Sequence, residues 1–229
     1  MIDAVSPNAG AYVPAPAGEP SKHARIQVPL GFIAFQCWKL DREWRRLDAA
    51  TRKAHVAEFV RICDEGAKGL KHFAAFSTAG LKNDVDLILW AKATRLEDLN
   101  TFAVKQRTAE MTRWMDLSHN YMAMLKGSPY EDESKIFKPQ AFYKFLFLYP
   151  FVKTRPWYLL PLAERMRIMK GHIESAAAYP MVRINTSYSF GIDDQDFVVA
   201  FETDEADSFV NLVQQLRETE SSLYTQRDT

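Results

Sequence analysis

Cysteine is scarce in this chain: 229 residues hold two, Cys37 and Cys63, far apart and without CxxC or Cys/His spacing. That excludes a disulfide framework and a thiolate zinc site. Net charge is absent too. Lys+Arg and Asp+Glu balance at 29 each, and no basic stripe stands out, so no nucleic-acid partner is expected. No stretch reaches the ~18 consecutive apolar residues of a spanning helix, so no membrane span is expected. The first 25 residues lack a charged n-region followed by an apolar h-region, which argues against a signal peptide. Rich in Pro, Ala and Gly, residues 1–25 read as a disordered arm on a cytoplasmic protein.

What is present is a repeat. Residues 26–111 alternate strand, helix, strand, turn-strand and helix. Strands fall near 26–37 and 71–77, a turn into a strand spans 80–93, and the helices fall near 48–63 and 95–111. Asp48 suits the first N-cap, and Val56, Phe59, Val60 and Cys63 keep helical spacing. Residues 142–229 repeat the order, with strands near 142–149 and 182–189, a turn and a strand over 191–204, and helices near 162–178 and 205–220. GLKNDVDLILWAKA and GIDDQDFVVAFETD occupy the same place in the two halves. The expected fold class is α+β: two ferredoxin-like halves, each an antiparallel sheet with helices on one face, forming a dimeric α/β-barrel-type fold. Leftover sheet edges favour a homo-oligomer. Residues 112–141, polar and irregular, read as a loop crossing between the halves.

Chemistry-bearing residues concentrate in the second half. His172 lies on or beside an apolar stripe of Leu162, Met166, Met169, Ile173 and Ala176 on one helix. Two readings stand side by side: a hydrogen-bonded core histidine, or an axial ligand to haem iron, which needs one protein imidazole. In LFLYPFVKTRPWYLLP an apolar strand ends at Pro150 beside Tyr149, Lys153, Arg155, Trp157 and Tyr158. Each alone suits a strand end or a solvated turn. Together, cations suit carboxylates and aromatic rings suit a flat ligand.

These residues carry a resemblance. YPFVKTRPWYLLP, MKGHIESAAAYP, GIDDQDFVVAFETD and LRETE, with FQCWKLDREWRRL and FSTAGLKNDVDLILWAKA in the first half, resemble the chlorite dismutase family, most of all its coproheme decarboxylase branch. The resemblance implies paired ferredoxin-like domains, usually a homopentamer, binding iron porphyrin in the C-terminal half. It implies His172 as proximal metal ligand, Tyr149 as radical-forming residue, Lys153 near a reacting propionate, and Trp157 and Arg155 near the porphyrin. Ile184 falls where chlorite-degrading members place a distal arginine, and neighbouring Arg183 points to the opposite face. Glu220 is a candidate partner for the His172 ring. The implied reaction is peroxide-dependent decarboxylation of two propionates of iron-coproporphyrin III, which is both substrate and cofactor, to protohaem. The alternatives are a chlorite dismutase or haem peroxidase-like enzyme, and a non-catalytic haem-binding or transfer protein.

Overall fold

The computed structural model describes residues 30–127 and 143–228. The arm at 1–25 and most of the polar stretch before 142 lie outside the described residues. The elements run β1 (Gly31–Leu40), α1 (Ala49–Ala67), β2 (His72–Ser77), β3 (Leu87–Ala93), α2 (Leu96–Gln106) and β4 (Met115–Leu125). After the undescribed segment come β5 (Phe145–Lys153), short α3 (Arg155–Leu159), α4 (Leu162–Ala177), β6 (Arg183–Tyr188), β7 (Phe197–Thr203), α5 (Ala206–Arg217) and β8 (Thr225–Asp228).

The fold is α+β. Eight strands form one sheet in the order β2-β3-β1-β4-β6-β7-β5-β8, and every pair of named strands is antiparallel. Each quartet has the same neighbour order, counted from its own first strand. Gly80 and Gly191, at φ +80° and +72°, open the matching turns before β3 and β7. Both sit in left-handed backbone that glycine adopts without steric cost.

Alternation along the strands gives each quartet two apolar faces. The inner faces meet: Ile33, Phe35, Trp90 and Ala123 of the first quartet pack with Val198 and Ala200 of the second. The outer face of the first quartet is covered by α1 and α2 through Phe59, Cys63, Leu99 and Phe102. That of the second carries Val182, Val199 and Phe201 against Leu212 of α5. Asp48 caps α1 by accepting from the Thr51 backbone N–H at 2.9 Å. Val56 and Val60, expected on its buried face, are 40% and 49% exposed.

Three expectations need correction. Residues 115–125, read as part of the crossing loop, are the 11-residue strand β4, paired along β1 from Gly31↔Leu125 to Leu40↔Met115. Polar Asp116, Ser118, His119 and Asn120 hid the apolar alternation. The second helix ends at Gln106 rather than 111, with a separate 3-10 turn at Glu110–Trp114. Pro150 does not end its strand. β5 continues to Lys153, and Pro150 pairs with Val198 where β7 is its described neighbour, since β8 joins only at Phe151.

Candidate functional site

β5, β6 and β7 align three rows of side chains on the outer face: Phe147–Phe201–Ile184, Tyr149–Val199–Thr186 and Phe151–Phe197–Tyr188. Tyr149 and Ile184 therefore share one face, a row apart. Tyr149 packs edge-on to Phe201 at 6.0 Å, in the cluster that includes Ala176 of α4 and Tyr179 just beyond it. Ile184 is 39% exposed. Arg183 turns to the inner face, where its guanidinium lies 3.8 Å from the buried Glu202 carboxylate. Glu202 also accepts from Asn185 at 3.0 Å.

Lys153 ends β5 with its side chain buried, 8% exposed. Its Nζ donates to the Ser221 carbonyl at 2.7 Å and to Thr225 Oγ1 at 3.3 Å, and lies 5.0 Å from the Trp157 ring centre. Burial brings its pKa down to about 8, opposed by the Asp228 charge. An ammonium out of water loses hydration, which favours the neutral amine.

His172 on α4 is half-buried, and Ser221 Oγ lies 3.0 Å from its Nδ1. Burial, then the Lys153 charge, brings its pKa down to about 4, so the ring is neutral near pH 7. No hydrogen bond to Nε2 occurs among the described residues. Ser221 thus joins Lys153, through its carbonyl, to His172, through its hydroxyl. Glu220 does not take that place: its carboxylate lies 2.7 Å from Arg167, which also binds Glu164 at 2.7 Å. The apolar stripe on α4 also differs from expectation. Ile168 is the buried residue, while Leu162 and Met166 are 45% and 49% exposed.

Trp157 is 3% exposed and packs on Tyr224 at 5.4 Å, beneath Lys153. Arg155, at the exposed start of α3, is not drawn into this cluster. Besides Ser221, three residues missed from sequence complete the site. Tyr149 donates to Asp228 at 2.7 Å and accepts from Arg217 at 3.1 Å. Asp196 accepts from the Lys153 backbone N–H at 2.9 Å and from Tyr158 at 2.7 Å, tying β5 to α3. Arg217, in LRETE, and Asp196, in GIDDQDFVVAFETD, stood in singled-out motifs; Asp228 comes from the last strand, too short to show a pattern. An open cleft of about 530 Å³ between α4 and α5, lined by Ile168, Gly171, Gln215 and Thr219, includes Glu220 but not Tyr149, Lys153, Arg155, Trp157, His172 or Ile184.

Residues 38–229 match the profile of the family described as chlorite dismutase. The chain belongs to the chlorite dismutase family. It is 31% identical over 169 residues, 71% of each chain, to the coproheme decarboxylase of Mycolicibacterium smegmatis. Its fold is similar to the chlorite dismutase of Candidatus Nitrospira defluvii in complex with imidazole. The TM-score is 0.79 at 22% identity, over 87% of each chain. It is also similar to a heme-binding protein from Thermus thermophilus, with TM-score 0.76 at 20% identity over 89% of this chain and 92% of that one. No helix among the described residues is long and apolar enough to cross a membrane.

The side chains present fit an iron porphyrin. A neutral imidazole with Nδ1 engaged and Nε2 unused is the form that ligates a metal. No group of three His, Cys, Asp or Glu able to hold a bare ion occurs among the described residues. Leu162 and Met166 on α4 and Ile184 on β6 leave apolar surface uncovered, as a large flat ligand requires.

Proposed function

We propose that this chain decarboxylates two propionates of iron-coproporphyrin III to vinyl groups in the presence of hydrogen peroxide, yielding protohaem. One observation carries the reading: the terminal segment 220–228 ties together the three residues such chemistry needs. Ser221 meets both His172 and Lys153, and Asp228 holds Tyr149. The kinship at 31% identity with a coproheme decarboxylase supports the substrate class.

The bound iron porphyrin supplies peroxide activation and the one-electron oxidations. His172 ligates through Nε2, while Ser221 holds the ring at Nδ1. Lys153 offsets the cost of bringing a propionate into an apolar pocket, of the order of several kcal/mol for an unpaired ion. With a carboxylate beside it, the amine, poised near 8, stays protonated. Tyr149 forms a tyrosyl radical and takes a hydrogen atom from the propionate β-carbon. Loss of a further electron and of carbon dioxide leaves the vinyl group. Trp157, packed under Lys153, fixes the direction of its ammonium, and Arg155 lies free to meet a second carboxylate.

Chlorite chemistry is disfavoured. Ile184 offers no cation to an oxyanion on the outer face, and Arg183 is held by Glu202 on the inner one. We read the repeated strand order as two ferredoxin-like halves of a dimeric α/β-barrel-type fold. The oligomer is a homopentamer acting in the cytoplasm.

The test is Tyr149→Phe. Porphyrin retention stays as in the parent chain, and conversion of coproheme under peroxide is lost. Unchanged turnover removes the tyrosine from the mechanism. Porphyrin binding without conversion in the parent chain itself favours a binding or transfer protein, and rapid oxygen release from chlorite favours a dismutase.

A further inference from the structure

We propose that Asp228 is the proton acceptor for Tyr149: the phenol donates to Asp228 Oδ2 across 2.7 Å, and its proton passes along that bond when the ring gives up an electron. The proposal rests on the reading of Tyr149 as an oxidised residue, and Asp228 acts through the phenol without touching substrate.

The groups facing Tyr149 leave its proton one destination. On the α5 side, Arg217 Nη2 donates to the phenol oxygen at 3.1 Å and so occupies an acceptor position. On the β8 side stands Asp228, itself 3.3 Å from Arg217. Along the sheet the neighbours are apolar: Phe147, Phe151, Val199 and Phe201. The Lys153 charge also acts on Asp228. A phenol has one hydrogen, and with Arg217 donating to its oxygen that hydrogen is directed at the carboxylate.

Burial holds the phenol above its ordinary pKa; Arg217 opposes this and Asp228 reinforces it. Tyr149 is therefore protonated near pH 7. Oxidation of a phenol makes it a strong acid, so a base at hydrogen-bond distance lowers the barrier, by the 10²–10⁴-fold usual for positioned general bases. The step balances. The phenolic O–H bond breaks, an O–H bond forms on Asp228 Oδ2, and one electron goes to a one-electron oxidant, which is reduced. The products are a neutral phenoxyl radical and a carboxylic acid. A hydrogen atom taken from a substrate C–H restores the phenol. Asp228, with 31% of its side chain exposed, then releases its proton to water.

The test needs no porphyrin. A photogenerated ruthenium(III) polypyridyl complex oxidises the porphyrin-free chain, and the tyrosyl signal of a Tyr149→Phe chain is subtracted to isolate Tyr149. The expected result is that Asp228→Asn slows Tyr149 oxidation at pH 7 by tenfold or more and changes its solvent deuterium isotope effect. Asp228→Glu restores both, and Arg217→Gln keeps the parent isotope effect because the base remains. A rate within twofold of the parent in Asp228→Asn, or an isotope effect unchanged by that substitution, overturns the proposal. If the ruthenium experiment gives the expected result while coproheme is not converted, the proposed function falls and the Asp228 assignment stands.

Discussion

Replacing Lys153 by Met separates its cost to the empty protein from its use toward a ligand. Burial brings the ammonium pKa from 10.5 to about 8. The folded state then binds fewer protons than the unfolded chain between those values, so stability rises with pH across that window. Integrating one group with these two values makes the charged lysine about 3 kcal/mol unfavourable at pH 7 and about 1 at pH 10, a difference of about 2 kcal/mol. Against this stand two hydrogen bonds, to the Ser221 carbonyl and Thr225 Oγ1, whose loss costs about 1–3 kcal/mol in all. Lys153→Met therefore leaves the porphyrin-free chain at pH 7 as stable as the parent or up to about 2 kcal/mol more so. Urea unfolding of both chains at pH 7 and pH 10 reads the double difference. The parent gains about 2 kcal/mol more than the variant between the two pH values, because Lys92, also brought to about 8, contributes equally to both. Equal pH slopes refute the buried-ammonium account, as does a variant destabilised by more than about 3 kcal/mol at pH 7, which would make Lys153 a structural cation.

Further outcomes are expected. His172→Ala weakens retention of ferric porphyrin by about tenfold or more and shifts its Soret band; an unchanged spectrum and affinity would return this residue to the core-histidine reading. Trp157→Ala destabilises the chain by about 3–5 kcal/mol in urea unfolding, since its ring is buried between Tyr224 and Lys153; a loss under 1 kcal/mol contradicts that packing. His72, brought by burial and then by Lys92 and Arg183 to about 4, must gain a proton on unfolding below about 6.5. The chain therefore loses about 2 kcal/mol between pH 7 and 4.5 on its account, and His72→Leu flattens that part of the acid limb.

The internal repeat was legible because it rests on period-2 and period-3.6 apolar patterns, and on two glycine turns whose backbone demands are local. β4 was not legible because its neighbours are supplied by β1, more than 70 residues earlier in the register Cys37↔His119 and Gln36↔Asn120, which lets polar residues serve on a strand. Tyr149, Lys153 and His172 stood out by density and residue type. Their convergence did not, because it runs through Ser221 and Asp228, ordinary residues on a 3-10 turn and a four-residue strand. Glu220, in LRETE, drew attention as a partner for the His172 ring, but Arg167, reached from α4, already holds it.

The central claim is tested most directly by the porphyrin product. The chain is incubated with iron-coproporphyrin III and hydrogen peroxide, and the extracted porphyrin is examined by mass spectrometry. The account predicts stepwise loss of two carboxyl groups to give protohaem, with a singly decarboxylated species on the way. Recovery of intact coproheme, or of bleached porphyrin with all four propionates, would contradict it.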